Sequence, residues 1–140
     1  MKMQVDIRRT NGDLQFKAEN EIGRSVMLDG GDSREGMRPM ELLLSALGSC
    51  AAFDVVHILQ KQRQPLEDIH VNVVGTRPED GEPKPFDSVE MRFTLTGSLD
   101  VEKAERAVSL SVEKYCSVGA TLRPETEVTY TVEILRTTSA

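Results

Sequence analysis

The chain contains two cysteines, and their thiols are the side chains best suited to redox chemistry. Cys50 lies inside the most apolar stretch of the sequence, between Pro39 and Phe53, and Cys116 ends a second, amphipathic stretch. A thiolate is a nucleophile, and two thiols brought together by a fold can cycle through a disulfide. Buried cysteines are also common as inert core residues, so the residues alone leave both interpretations open.

The reactivity of Cys50 depends on charges that its own segment does not supply. Apolar neighbours and the carboxylate of Asp54, one helical turn away, disfavour a thiolate there. His57 is too far for a Cys–His pair, since seven residues span about 10 Å of helix. A reactive Cys50 therefore needs a cation from another part of the chain, for which the candidates are Arg24, Arg34 and Arg38.

Other kinds of site find little support. The spacing of the two cysteines matches neither a Cys-x-x-Cys motif nor a zinc pattern. The four residues that could form a metal site are spread over two helices and a strand without a close pair: Cys50, His57, His70 and Cys116. No phosphate-binding glycine loop is present either. We therefore expect neither a metal nor a cofactor.

Composition indicates a soluble globular protein. With 39% hydrophobic and 29% charged residues, the chain of 140 residues suits one domain spanning residues 1–140. The net charge of −6 argues against nucleic acid or an anionic membrane as a partner. The N-terminus becomes charged before any apolar run develops, so we expect no signal peptide and a cytoplasmic location. Thiols are kept reduced there, which disfavours a permanent disulfide.

Hydrophobic periodicity predicts an α+β fold in the order βββ-α-ββ-α-β. The predicted strands are Met3–Arg9, Leu14–Ala18, Ser25–Leu28, Ile69–Thr76, Ser88–Thr96 and Glu127–Leu135. One helix is predicted from Pro39 to about Arg63 and a second along Ala104–Val112, followed by a helical turn at Val118–Leu122. Residues 29–36 are predicted to form a flexible loop and residues 78–87 a long exposed one.

The first predicted helix is apolar on nearly every face. A helix of that kind must be surrounded, and a single chain of this size has little room to enclose it. The remedy is a second subunit. We therefore predict a homodimer with this buried helix near its centre.

Two segments together resemble the OsmC/Ohr family of osmotically inducible and organic hydroperoxide resistance proteins. They are Pro-Met-Glu-Leu-Leu-Leu-Ser-Ala-Leu-Gly-Ser-Cys, ending at Cys50, and Tyr-Cys-Ser-Val, which contains Cys116. The resemblance implies an intertwined α+β homodimer with sites near its interface. It also implies a peroxidatic Cys50 that attacks an organic hydroperoxide, a resolving Cys116 that forms a disulfide with it, and a reductant of the lipoyl-dithiol type.

The sequence also departs from the family pattern. Active members carry a carboxylate directly after the proline, where this chain has Met40, and its nearest carboxylate is Glu41. They also carry an arginine in the early strands, and no arginine occupies the matching position near Thr10–Asp13. Arg24 and Arg38 are the candidate replacements. The chain is thus expected to be a divergent member, and the alternative is a non-catalytic protein that binds a small apolar ligand at the dimer interface.

Overall fold

The structure is a computed structural model and describes residues 1–32 and 34–137. Ser33, which belongs to the loop predicted at residues 29–36, lies outside the described residues. The chain divides into two compact units, Met1–Leu43 and Leu44–Ala140. The single domain over residues 1–140 stays a prediction.

The first unit is built on an antiparallel sheet in the order β1-β2-β3. Its strands are β1 (Val5–Arg9), β2 (Gln15–Asn20) and β3 (Ser25–Asp29), which confirms the three predicted strands. An Asn-Gly turn follows β1. Gly12 has a left-handed φ of 74°, and the Asn11 side-chain oxygen accepts hydrogen bonds from the backbone N–H groups of Asp13 and Gln15.

Helix α1 spans Pro39–Lys61 and contains Cys50. Pro39 is its first residue, where a missing N–H costs nothing. The chain leaves the helix through Arg63, whose φ is 55°. The N–H of Gln64 then bonds back to the carbonyl of Leu59 at 2.9 Å, the pattern that ends many helices.

One face of α1 is buried within the chain, formed by Leu47, Gly48, Ala51, Val55 and Leu59. The opposite side is not enclosed by one copy, and Phe53 is 68% exposed there. The helix also has the length and composition of a membrane span, since an 18-residue window has a mean hydropathy of 1.9 and is 28% buried. Core helices of soluble proteins meet the same criterion, so this is weak evidence for a membrane.

The second unit holds a mixed sheet in the order β4-β5-β6. Strand β4 (Leu66–Thr76) pairs antiparallel with β5 (Ser88–Gly97), which pairs parallel with β6 (Glu127–Leu135). The three predicted strands are confirmed. On β5 the alternate residues Val89, Met91, Phe93 and Leu95 are buried and form its inward face. The strands found in residues 1–32 and 34–137 thus form two sheets.

A helical connection joins the parallel strands β5 and β6, as parallel pairing requires. It consists of α2 (Val101–Leu110), a π-helical turn (Ser111–Tyr115) and α3 (Ser117–Leu122). Ala104, Ala107 and Val108 form a buried stripe on α2, and the predicted helical turn is α3. The π-helical turn between them is not apparent from the residue pattern.

The prediction of an exposed loop at residues 78–87 is wrong for Phe86, which is only 7% exposed. Its ring lies over Gly75, where an added Cβ would sit 2.4 Å from a ring carbon. The Thr126 hydroxyl donates to the Phe86 carbonyl at 2.9 Å. A single aromatic side chain therefore anchors an otherwise polar loop to the sheet, and one such residue leaves no periodic signal.

Candidate redox site

The fold brings together the two cysteines that the sequence singles out. Cys50 lies in the middle of α1, and Cys116 lies between the π-helical turn and α3. Both are free thiols; Cys50 is half-buried, whereas Cys116 is 3% exposed. The Cys50 side chain lies close enough to the Cys116 thiol to raise its pKa.

Backbone groups from two elements hold the Cys116 thiol. Its Sγ accepts a hydrogen bond from the N–H of Gly119 at 3.3 Å, so Cys116 is the N-cap of α3. The same thiol faces the carbonyl of Leu47 on α1, with 3.9 Å between sulfur and oxygen. A thiol is a weak donor and a weak acceptor, so these contacts orient Cys116 more than they bind it.

Burial raises the pKa of the Cys116 thiol to about 11 from its ordinary value of 9.0. The backbone N–H of Gly119 acts in the opposite direction because it stabilises a thiolate. Cys50 adds to the rise, both as a hydrogen-bond partner and through its charge when ionised. Cys116 is therefore a protonated thiol near neutral pH.

The pair has the arrangement that a reversible disulfide needs. Cys50 is only partly buried and can be reached by a solute, and Cys116 is a second, buried thiol near it. Oxidation of Cys50 to a sulfenic acid would place an electrophilic sulfur next to Cys116, and condensation would give a disulfide and water. The roles of the two cysteines in such a cycle remain predictions.

Glu41 and Arg38 meet at the start of α1, in the first unit. The Glu41 carboxylate accepts a hydrogen bond from the backbone N–H of Arg38 at 2.9 Å. This is the helix-capping contact of a glutamate in the first turn. The Arg38 guanidinium donates to the carbonyl of Gly31 at 3.4 Å. Both side chains thus have contacts that order the entry to the helix.

Arg24, the other candidate cation, lies in the turn between β2 and β3. Its backbone N–H donates to the Asn20 side chain at 2.9 Å, and its carbonyl accepts from the Asn20 N–H at 2.8 Å. Arg24 and Arg38 belong to the first unit and both cysteines to the second. A role for either arginine at the thiols stays a prediction.

Among residues 1–32 and 34–137, no group of three or more His, Cys, Asp or Glu side chains is placed to hold a metal ion.

Two features of the site are not among the sequence predictions. Gly119 contributes only a backbone N–H, which no residue pattern reveals, although a glycine three residues after a candidate cap is compatible with it. The π-helical turn is not marked in the sequence either, because a buried stripe does not show where its helical register changes. If the buried stripe of α2 continued at regular helical spacing, Tyr115 would lie on it and Cys116 would not.

Comparison with known proteins assigns the family. Residues 30–131, which include both cysteines, match the model of the OsmC-like protein family. Protein YhfA of Escherichia coli K12 is 37% identical over 134 residues, covering 95% of this chain and 98% of YhfA.

Two solved structures have the same fold. A hypothetical protein of Aquifex aeolicus VF5 superposes with a TM-score of 0.87 at 33% identity, covering 99% of each chain. The organic hydroperoxide resistance protein OsmC of Legionella pneumophila superposes with a TM-score of 0.71 at 20% identity, covering 95% of this chain and 97% of its own. This chain belongs to the family of OsmC-like proteins.

Proposed function

We propose that the protein is a thiol-dependent peroxidase that reduces organic hydroperoxides. The observation that carries this proposal is that a partly exposed Cys50 lies close enough to the buried Cys116 to raise the pKa of that thiol. Family membership supports the substrate class, because the Legionella relative of the same fold is an organic hydroperoxide resistance protein.

The proposed cycle has three steps. The Cys50 thiolate attacks one oxygen of the O–O bond, the bond breaks, and the alkoxide takes up a proton and leaves as an alcohol. Cys50 is thereby oxidised to a sulfenic acid. Cys116 then attacks the Cys50 sulfur, an S–S bond forms, and the hydroxyl leaves with the thiol proton as water. A dithiol of the lipoyl type reduces the disulfide by two exchanges and becomes a disulfide itself.

Exposure and protonation support the proposed roles of the two cysteines. A hydroperoxide must reach the attacking sulfur, and Cys50 is the more exposed of the two. Cys116, with a pKa of about 11, is not a thiolate at neutral pH and is suited to the later step. In that step the neighbouring sulfenic acid is a strong electrophile held at short range.

A homodimer is part of the proposal. Large apolar side chains are exposed on one copy, among them Phe53 at 68% and Val5 and Ile7 at 61% each. Apolar side chains left in water favour association with a second copy that covers them. A second copy that covers α1 would complete an apolar environment for the substrate beside Cys50. A cytoplasmic location, where dithiol reductants are available, fits the cycle.

Non-catalytic binding of a small apolar ligand is the second candidate, and the first turn of α1 favours it. Met40 stands where active members carry a carboxylate, and the Glu41 carboxylate contacts the Arg38 N–H. This candidate predicts thermal stabilisation by apolar ligands that survives replacement of both cysteines.

Two single substitutions test the peroxidase. Cys50→Ser is expected to abolish turnover of cumene hydroperoxide with a dithiol reductant, while the fold is retained. Cys116→Ser is expected to allow one oxidation and then to accumulate sulfenic and sulfinic acid at Cys50, visible by intact mass. Turnover retained by Cys50→Ser would contradict the proposal.

A further inference from the structure

The helical register changes between α2 and Cys116. One buried stripe runs along α2 and into the π-helical turn, and it consists of Ala104, Ala107, Val108, Ser111 and Val112. At 3.6 residues per turn each residue advances by about 100°, so the middle of the stripe falls on position 115, and position 116 lies about 110° away. An uninterrupted helix would therefore bury Tyr115 and turn Cys116 outward.

The structure shows the reverse. Tyr115 is 49% exposed and Cys116 is 3% exposed. The ammonium of Lys114 lies 5.3 Å from the centre of the Tyr115 ring, a cation–π contact at the surface. The side chain that regular geometry would bury is thus held outside.

The π-helical turn Ser111–Tyr115 accounts for this exchange. The N–H of Cys116 bonds to the carbonyl of Ser111, five residues back, at 2.9 Å. A turn closed by such a bond accommodates one residue more than an α-helical turn, which corresponds to a rotation of about 100°. The rotation returns Cys116 to the middle of the buried stripe.

Ser111 stabilises the point at which the helix widens. It is fully buried, and its hydroxyl donates to the carbonyl of Ala107 at 2.7 Å. Serine bonds of this kind compete with the regular backbone pattern and bend helices. The buried hydroxyl thus has a hydrogen-bond partner within the helix, on a carbonyl that also accepts from the backbone N–H of Ser111.

The geometry points to the π-helical turn as the positioning element of the thiol pair. Its extra residue turns Cys116, instead of Tyr115, toward Leu47 and Cys50. The effect on hydroperoxide reduction rests on the proposed function. The placement of Cys116 beside Cys50 does not depend on that function.

Changing the number of residues in the turn tests the inference. Deletion of Lys114, which is exposed, removes the surplus residue. A regular helix would then place the Cys116 side chain on the same buried side as in the unaltered protein. Insertion of one alanine between Glu113 and Lys114 adds a further rotation of about 100° and turns Cys116 away. Lys114→Ala keeps the turn length and serves as the matched control.

Diamide, which oxidises thiol pairs without any peroxidase step, provides the first readout. We expect the Lys114 deletion and Lys114→Ala to form the Cys50–Cys116 disulfide within about tenfold of the unaltered rate, and the insertion to slow it by about 100-fold or more, since misplacing reacting groups by about 1 Å costs that much. Circular dichroism and thermal unfolding establish that each variant is folded.

Cumene hydroperoxide with dimedone, which traps sulfenic acid, provides the second readout. The insertion variant is expected to form the Cys50–dimedone adduct at the unaltered rate while the disulfide is lost. Absence of both products from every variant, with normal oxidation by diamide, would reject the peroxidase and leave the positioning role intact.

A folded deletion variant that no longer forms the disulfide with diamide would overturn the positioning role. So would a deletion variant that fails to fold, because the residue would then not be surplus to a regular helix. An insertion variant that forms the disulfide at the unaltered rate would overturn it as well.

Discussion

The two thiols are chemically unequal because the fold gives them different surroundings. Cys50 is half-buried on the middle of α1, whereas Cys116 is enclosed and faces the Leu47 carbonyl and the Gly119 N–H. A two-cysteine cycle needs this difference, because one sulfur must be accessible to the substrate and the other must react only after the first is oxidised. It also has a consequence that can be measured without any substrate.

We expect Cys116 to make stability depend on pH in the alkaline range. The folded thiol keeps its proton up to about pH 11, whereas the unfolded thiol releases it near its ordinary pKa of 9.0. Between these values the unfolded chain binds fewer protons, so stability falls as pH rises. The free energy of unfolding of the unaltered protein minus that of Cys116→Ser, from urea denaturation, should be constant below pH 8 and decrease between pH 9 and pH 11.

Lysine and tyrosine residues titrate in the same range, but their contributions cancel in this difference. A difference that does not change between pH 9 and pH 11 would mean that Cys116 is not enclosed as described.

The sequence predicts which residues form the pair but not why they differ. An isolated apolar run and a Tyr-Cys-Ser-Val segment identify the two positions. Burial has the largest effect on the pKa of Cys116, followed by the backbone N–H of Gly119 and by Cys50, and no local side-chain pattern encodes the burial or the N–H. The register at Cys116 is also hidden, because a continuous helix is the default expectation for residues 101–115.

At the scale of elements, the position of α1 against the sheet depends on close contact at Gly48. An added Cβ at this position would lie 2.7 Å from Cγ2 of Val73 on β4. Glycine is unfavourable inside a helix by about 1 kcal/mol relative to alanine, so contact distance and not helix propensity explains it here. Cys50 lies two residues further along the same helix.

Gly48→Ala is expected to destabilise the protein in spite of the better helix propensity. Overpacking against the stiff side chain of Val73 costs about 1–3 kcal/mol, which exceeds the gain of about 1 kcal/mol. On a Val73→Ala background the clash is gone, so the same substitution should become stabilising. Urea denaturation of the four proteins gives the double-mutant cycle, and an equal effect of Gly48→Ala in both backgrounds would refute the close contact.

The elements themselves were largely predictable, because burial on one face leaves an alternating pattern. Strand β6 is found at the predicted Glu127–Leu135, and β4 and β5 contain the predicted segments. The parallel pairing of β5 with β6 and the division into two sheets were not predicted. Pairing depends on how the connections run, and a strand carries no local mark of its partner.

At the scale of the whole molecule, large exposed apolar side chains are the feature that supports the proposed homodimer. Phe53 lies three residues after Cys50 on α1 and is 68% exposed. A second copy would remove this surface from water and shield the thiols with it. The homodimer proposed on these grounds is open to direct measurement.

Light scattering after gel filtration is expected to give twice the chain mass of 15.5 kDa. Phe53→Glu should weaken the assembly, because a carboxylate would be buried without a partner. Phe53→Leu, which keeps an apolar side chain, is the control and should remain dimeric. A mass of one chain for the unaltered protein at micromolar concentration would contradict the dimer.

The most direct test of the peroxidase is a single turnover of the reduced protein. One equivalent of cumene hydroperoxide is added, and free thiols and intact mass are followed from seconds to minutes. The account predicts loss of both thiols together with the mass of two hydrogens, and a peptide map that joins Cys50 to Cys116. Two thiols that remain reduced throughout would contradict it, and ligand binding without catalysis would then become the leading function.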